Sequence, residues 1–146
     1  MKSINPLAPV KCSKTIQINA NTEKIWLVLT NIDHWADWQP DISKPKLNGP
    51  LAPSATFDWT TGGAKIHSRI HTLDPFMHFG WTGKSYGMNA IHNWKLIDMH
   101  DHTLVAVEES LDGFLAHLFK RRMNKNLATG MQNWLELLKS ECEKQN

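Results

Sequence analysis

The chain has 146 residues, a formal net charge of +2, and is 41% hydrophobic and 21% charged. These values describe a globular chain long enough to bury a core of its own, and they exclude a disordered or collagen-like one. The charge is too small and too little clustered for a nucleic-acid-binding face, so no nucleic-acid partner is expected.

The opening stretch MKSINPLAPVK lacks the apolar run of a signal peptide, and no window approaches the length of a membrane span. We therefore expect a cytoplasmic protein without stable membrane insertion. Residues 1–9 read as an N-terminal extension to one domain spanning 1–146. Cys12 and Cys142 stand at opposite ends, outside any CxxC or Cys/His spacing, so they read as free thiols. No metal ligand set and no cofactor are expected.

In chain order, VKCSKTIQI (10–18) alternates, with Val10, Cys12, Ile16 and Ile18 on one face of a strand. Asn21 or Thr22 then caps a helix whose Ile25, Trp26 and Leu29 share a face. DHWADWQPD reads as a second short helix, stopped before Pro40. KPKLNGPLAPSA holds three prolines and a glycine and predicts a loop beside at most a short strand. Five alternating runs follow. They put Phe57 and Trp59, then Ile66, Ser68 and Ile70, then Met77, Phe79 and Trp81, then Ala90, His92 and Trp94, and finally Val105, Val107 and Glu109 on inward faces. Beyond Gly113 the period becomes three and four, predicting one long amphipathic helix to about Glu143, with a possible interruption near Gly130.

The run KIHSRIHTLDP (65–75) places two histidines four apart, a spacing that suggests a metal site or an acid/base pair. In a strand, however, Lys65, His67, Arg69 and His71 share one face, opposite Ile66, Ser68 and Ile70. The apolar side should meet the helix, so the histidines are expected on the solvated convex face, with Ser68 pointing inward.

The order of elements and several phrases resemble the START-like, or birch-pollen-allergen-like, superfamily, and within it the bacterial polyketide cyclase/dehydrase-like (SRPBCC) proteins. The phrases are IQINANTEKIWLVLTNIDHWADWQPDI, SRIHTLDPFMHFGWTG, AIHNWKLI and TLVAVEESLDGFLAHLF, followed by the long terminal helix. The resemblance implies an α+β helix-grip fold, in which a seven-stranded antiparallel sheet wraps around the C-terminal helix and two short helices follow the first strand. It also implies an internal hydrophobic cavity for lipids, polyketides or aromatic molecules, with catalysis in some branches only.

On that frame, Phe57, Trp59, Ser68, Ile70, Phe79, Trp81, Ala90, His92, Trp94 and Val107 are the candidate ligand-binding residues. Trp35 and Trp38, three apart in HWADW, plug or gate one end, and Tyr86 in KSYG stands at a rim. Seven Trp against one Tyr suits stacking walls around a flat apolar ligand. His92 and Glu109 are the candidate acid/base pair, on strands that the family topology makes neighbours, with Glu108 as the alternative carboxylate. Three functions are in play: a small-hydrophobic-ligand binder, a cyclase or dehydratase-type enzyme using His92 and Glu109, and a protein-interaction module using Lys120, Arg121 and Arg122. Monomer and homodimer are both open, the latter through an exposed strand edge near residues 55–73.

Overall fold

The computed structural model describes residues 1–145. Strand β1 (Val10–Ile18) leads into helix α1 (Thr22–Thr30) and a 3-10 helix (Ile32–Asp37). Strands β2 (Ile42–Asn48), β3 (Thr56–Thr61), β4 (Ala64–Asp74), β5 (His78–Ser85), β6 (Met88–Asp98) and β7 (Thr103–Asp112) follow. Helices α2 (Phe114–Leu118) and α3 (Lys120–Glu143) complete the chain. All pairings are antiparallel, in the order β1-β7-β6-β5-β4-β3-β2. One apolar sheet face needs a cover, and α3 supplies it: Met131, Trp134, Leu135 and Leu138 join Phe57, Ile70, Trp81 and Trp94 in one buried cluster. This is the expected α+β helix-grip arrangement.

Local chemistry sets the ends of α1. The Asn21 side chain accepts from the Lys24 backbone N–H at 2.8 Å, so Asn21 is the cap, and Ile25, Trp26 and Leu29 are buried. The second short helix is a 3-10 turn. Its Trp35 is fully buried and donates its indole N–H to the Leu29 carbonyl at 2.9 Å.

Several expectations need correction. KPKLN is part of a seven-residue strand, β2, longer than the short strand beside a loop that the residues suggest. It tolerates Pro45 because it is the outer strand, and because the register shifts between Ser43 and Lys46, with Lys44 in a left-handed conformation (φ 51°). Residues 55–73 are consequently not an edge; β3 and β4 are both paired on two sides, the outer strands are β1 and β2, and the bulge and proline of β2 blunt its edge. Met77 belongs to the turn before β5 and is exposed, since the chain reverses there between Asp74 and His78. The C-terminal helix breaks at Phe119 (φ −109°, ψ 33°), and α3 then runs unbroken through Gly130. A single glycine costs about 1 kcal/mol against alanine in a helix, which 24 residues of packed helix absorb.

The two histidines of KIHSRIH have different fates. His67 is exposed and pairs with Asp58 at 2.7 Å; hydrogen bonds from Asn48 and His67 hold the Asp58 carboxyl below its ordinary value. His71 is half-buried, a correction to the solvated reading. The register of β4 slips between Ile70 and Thr72, and the ring lies over Gly80, where a Cβ would come within 2.4 Å of it. The N-terminal extension covers this outer face: the Lys2 carbonyl accepts from Asn93 at 2.8 Å, and the Asn5 N–H donates to Ser110 at 3.0 Å.

Burial, partly offset by Asn93 and reinforced by the charge of Lys2, holds the His71 pKa below the ordinary histidine value of 6.5. A folded-state value below the unfolded one means that the unfolded chain takes up the proton first as pH falls. Stability is therefore expected to decline on acidification from about pH 6.5 down to the lowered folded value, and His71→Gln should flatten that limb. Denaturant midpoints measured across this range check it; an unchanged slope in the variant would assign the acid limb to other groups.

Candidate functional site

Inward parity on the sheet and the buried face of α3 leave a cavity of about 280 Å³ between them. The sheet contributes Trp59 of β3, Ile66 of β4, Trp81 of β5, Ala90 and His92 of β6, and Glu109 of β7. The helix contributes Leu127, Gly130, Met131 and Trp134. Thr61, Ala64, Ser85 and Met88, at the tips of the β3–β4 and β5–β6 hairpins, lie at one end of it.

His92 and Glu109 are directly opposed in the β6–β7 register, and His92 Nδ1 stands 2.7 Å from Glu109 Oε1. A hydrogen bond donated from Nδ1–H to the Glu109 carboxylate selects the Nδ1–H tautomer, and Nε2 has no partner among the described residues. The imidazole stacks on Trp81 at 4.4 Å between ring centres and 12° between planes. A carboxylate oriented on an imidazole in an aromatic pocket is an arrangement that can position or move a proton. Glu108 faces the opposite side of the sheet and accepts from Asn93 at 3.0 Å.

The other sequence-derived candidates divide. Trp59, Trp81, Ala90 and His92 are in the lining. Phe57, Ile70, Phe79, Trp94 and Val107 are buried in the core outside it. Ser68 is committed to structure, accepting from the Trp59 indole N–H at 3.1 Å. Trp35 sits at the centre of the aromatic cluster, and Trp38 packs part-buried at the end of the 3-10 helix; neither lines the cavity. Tyr86 is exposed in the β5–β6 turn with φ 49°, beside Gly87 at 74°, the two left-handed residues of a tight hairpin. Leu127, Met131 and Trp134 were visible as the apolar spacing of the helix but not as cavity residues, because periodicity shows a buried face and not where that face stops touching the sheet.

A wider groove of about 680 Å³ adjoins this end, sharing Trp59, Ile66, Lys84, Ser85 and Met88 with the cavity and adding Lys44, Lys65 and His67. It is open and flanked by the exposed charged side chains of Lys44, Asp58, Lys65 and Lys84, whereas the cavity is more enclosed and holds the His–Glu pair, so the cavity is the candidate site. Both cysteines are free. Burial pushes the Cys142 thiol up to about 12, so it is no nucleophile. Among the described residues no group of three or more His, Cys, Asp or Glu side chains is placed to hold a metal. No helix among them is long and apolar enough to cross a membrane.

A family model described as polyketide cyclase / dehydrase and lipid transport matches residues 9–143. The chain belongs to this family. No curated protein matches the sequence. Among solved structures similar to this polyketide cyclase/dehydrase-family chain, the hypothetical protein jhp0584 from Helicobacter pylori superposes with a TM-score of 0.85 at 16% identity, covering 98% of both chains. The Zhui aromatase/cyclase from a Streptomyces species superposes at 0.79 with 14% identity, over 91% of this chain and 93% of that one. The di-domain aromatase/cyclase StfQ of the steffimycin biosynthetic pathway superposes at 0.78 with 13% identity, over 92% of this chain and 50% of its own. At such identities these likenesses concern the fold, and the family's fold is one that binds hydrophobic ligands.

Proposed function

We propose that the chain binds a small hydrophobic molecule, a lipid, a polyketide or an aromatic compound, in the cavity between the sheet and α3. The observation that carries this reading is the cavity itself, walled by Trp59, Trp81, Trp134 and Met131 on two different layers of the fold. Apolar walls with few polar groups suit a ligand held by burial and oriented by one or two hydrogen bonds. The volume of about 280 Å³ suits a compact ligand of a few rings or a short chain.

Native mass spectrometry of the purified protein, before and after denaturing extraction, tests this directly. A co-purifying mass, or quenching of Trp fluorescence by a panel of lipids and polyketides, is the expected result. Gly130→Trp supplies the control. Gly130 lies on α3 in the lining, and a Cβ there meets nothing within 4 Å, so a large side chain can be added at the cavity wall without backbone strain. Ligand binding should fall at least about tenfold while the fold persists; undiminished binding in Gly130→Trp would place the ligand elsewhere.

The second reading is an enzyme of the cyclase or dehydratase type, and the 2.7 Å His92–Glu109 contact is what favours it. A positioned acid/base group contributes roughly 10²–10⁴-fold to rate. His92→Ala should then abolish turnover of a bound substrate while binding survives, and unchanged turnover would remove His92 from any catalytic role. The interaction-module reading has less behind it: Lys120, Arg121 and Arg122 are exposed at the start of α3, as solvated helix residues ordinarily are.

A further inference from the structure

The cavity holds more unused hydrogen-bonding capacity than an apolar ligand would satisfy. Glu109 gives Oε1 to His92; its second oxygen has no partner among the described residues, and 16% of the side chain stays exposed within the lining. His92 Nε2 and the Trp134 indole N–H are buried in the same lining without partners among the described residues, their rings 5.6 Å apart. Acceptors and a donor are therefore unpaired side by side. A hydrocarbon would leave all of them unpaired, and buried polar groups without partners are costly.

We infer that the ligand is a flat aromatic alcohol, a phenol in the simplest case, whose hydroxyl donates to the free oxygen of Glu109. The inference rests on reading this cavity as the ligand site. A hydroxyl is the smallest group that both donates and accepts, and a bond from O–H to a carboxylate is among the stronger neutral-to-charged ones. His92 holds the carboxylate in place through Oε1, so Oε2 is presented in a fixed orientation. The indole walls of Trp59, Trp81 and Trp134 favour a planar ring system over a flexible chain. An ammonium group would also satisfy the carboxylate. Lys84 of the lining and Lys44 and Lys65 of the adjoining groove, none in an ion pair among the described residues, outnumber the carboxylates of Asp41 and Asp58 in the same walls and disfavour a cation.

Three molecules of one shape separate the possibilities: 2-naphthol, 2-methoxynaphthalene and naphthalene, titrated calorimetrically into the wild-type chain, Glu109→Leu and Glu109→Gln at neutral pH. The expected result is that the wild type prefers naphthol over both others by roughly tenfold or more. In Glu109→Leu that preference should collapse to near unity while naphthalene still binds, which also reports an intact fold; Glu109→Gln, which keeps size and a neutral acceptor, should fall between. If the wild type binds all three alike, the hydroxyl inference fails and the apolar-cavity reading stands. A naphthol preference retained in both Glu109 variants likewise overturns it, because another group must then read the hydroxyl. If the wild type binds none of the three, the cavity reading fails and takes the inference with it. Should Glu109→Leu bind none of them, Glu109→Gln decides by the same ratio.

Discussion

Trp35→Ala is expected to lower folding stability by about 3–5 kcal/mol, the range for removing a large aromatic side chain from a packed core. Trp35 is fully buried and sits at the hub of the aromatic cluster. Its ring meets Phe57, Trp59, Trp81 and Trp134 at centre distances of 5.4–5.7 Å, mostly edge to face. It thus joins the 3-10 helix, two strands and α3. Trp35→Phe keeps most of the ring but abandons the Leu29 carbonyl, which now accepts at 2.9 Å, and should cost about 1–3 kcal/mol. Urea midpoints at fixed slope read both values. An alanine variant within about 1 kcal/mol of wild type would mean that the cluster repacks and is no structural hub. Because Trp59, Trp81 and Trp134 also wall the cavity, the alanine variant should bind ligand less tightly even where it remains folded.

Gly113→Ala is the second large effect. Gly113 links β7 to α2 with φ 124° and ψ 172°, a conformation that only glycine adopts readily. A Cβ there would lie 2.7 Å from the Gly87 carbonyl oxygen and 3.1 Å from the Met88 Cα, both backbone atoms that cannot swing aside. Strain of this kind costs about 1–3 kcal/mol, and the overlap adds to it. The damage should also reach the site, because Met88 is in the cavity lining and the Tyr86–Gly87 turn caps the same hairpin. Gly49→Ala is the matched control: φ is 91°, so the strain is similar, but the new Cβ meets nothing within 4 Å. Thermal midpoints and ligand titrations on the two variants should show ligand affinity lost in Gly113→Ala and kept in Gly49→Ala. Equal loss in both would refute the contact with the hairpin.

These effects trace back to different levels of information. Alternation alone placed Phe57, Trp59, Trp81, His92, Val107 and Glu109 on the inward face, since successive strand side chains must point to opposite sides and the apolar set must be buried. The three-and-four spacing after Gly113 marked the helix that covers them, for the same energetic reason. The switch from one period to the other, with the phrases shared with the cyclase-like family, was enough for the fold. What alternation cannot carry is register. That His92 meets Glu109 at 2.7 Å, with neither slipped by a residue, follows from the pairing of β6 with β7, a contact between residues seventeen apart in the chain.

Local strain was hidden as well. The slip beside His71 turns that ring onto Gly80 under the N-terminal extension, and the bulge around Pro45 makes a strand where the residues read as a loop. The helix breaks at Phe119 and not at the more suspicious Gly130, so helix propensity did not locate the break. The cavity is the clearest tertiary outcome. Sequence separates buried from exposed faces, but Phe57, Trp94 and Trp81 carry the same inward signal, and only the distance between sheet and helix decides which of them packs into the core and which borders empty space.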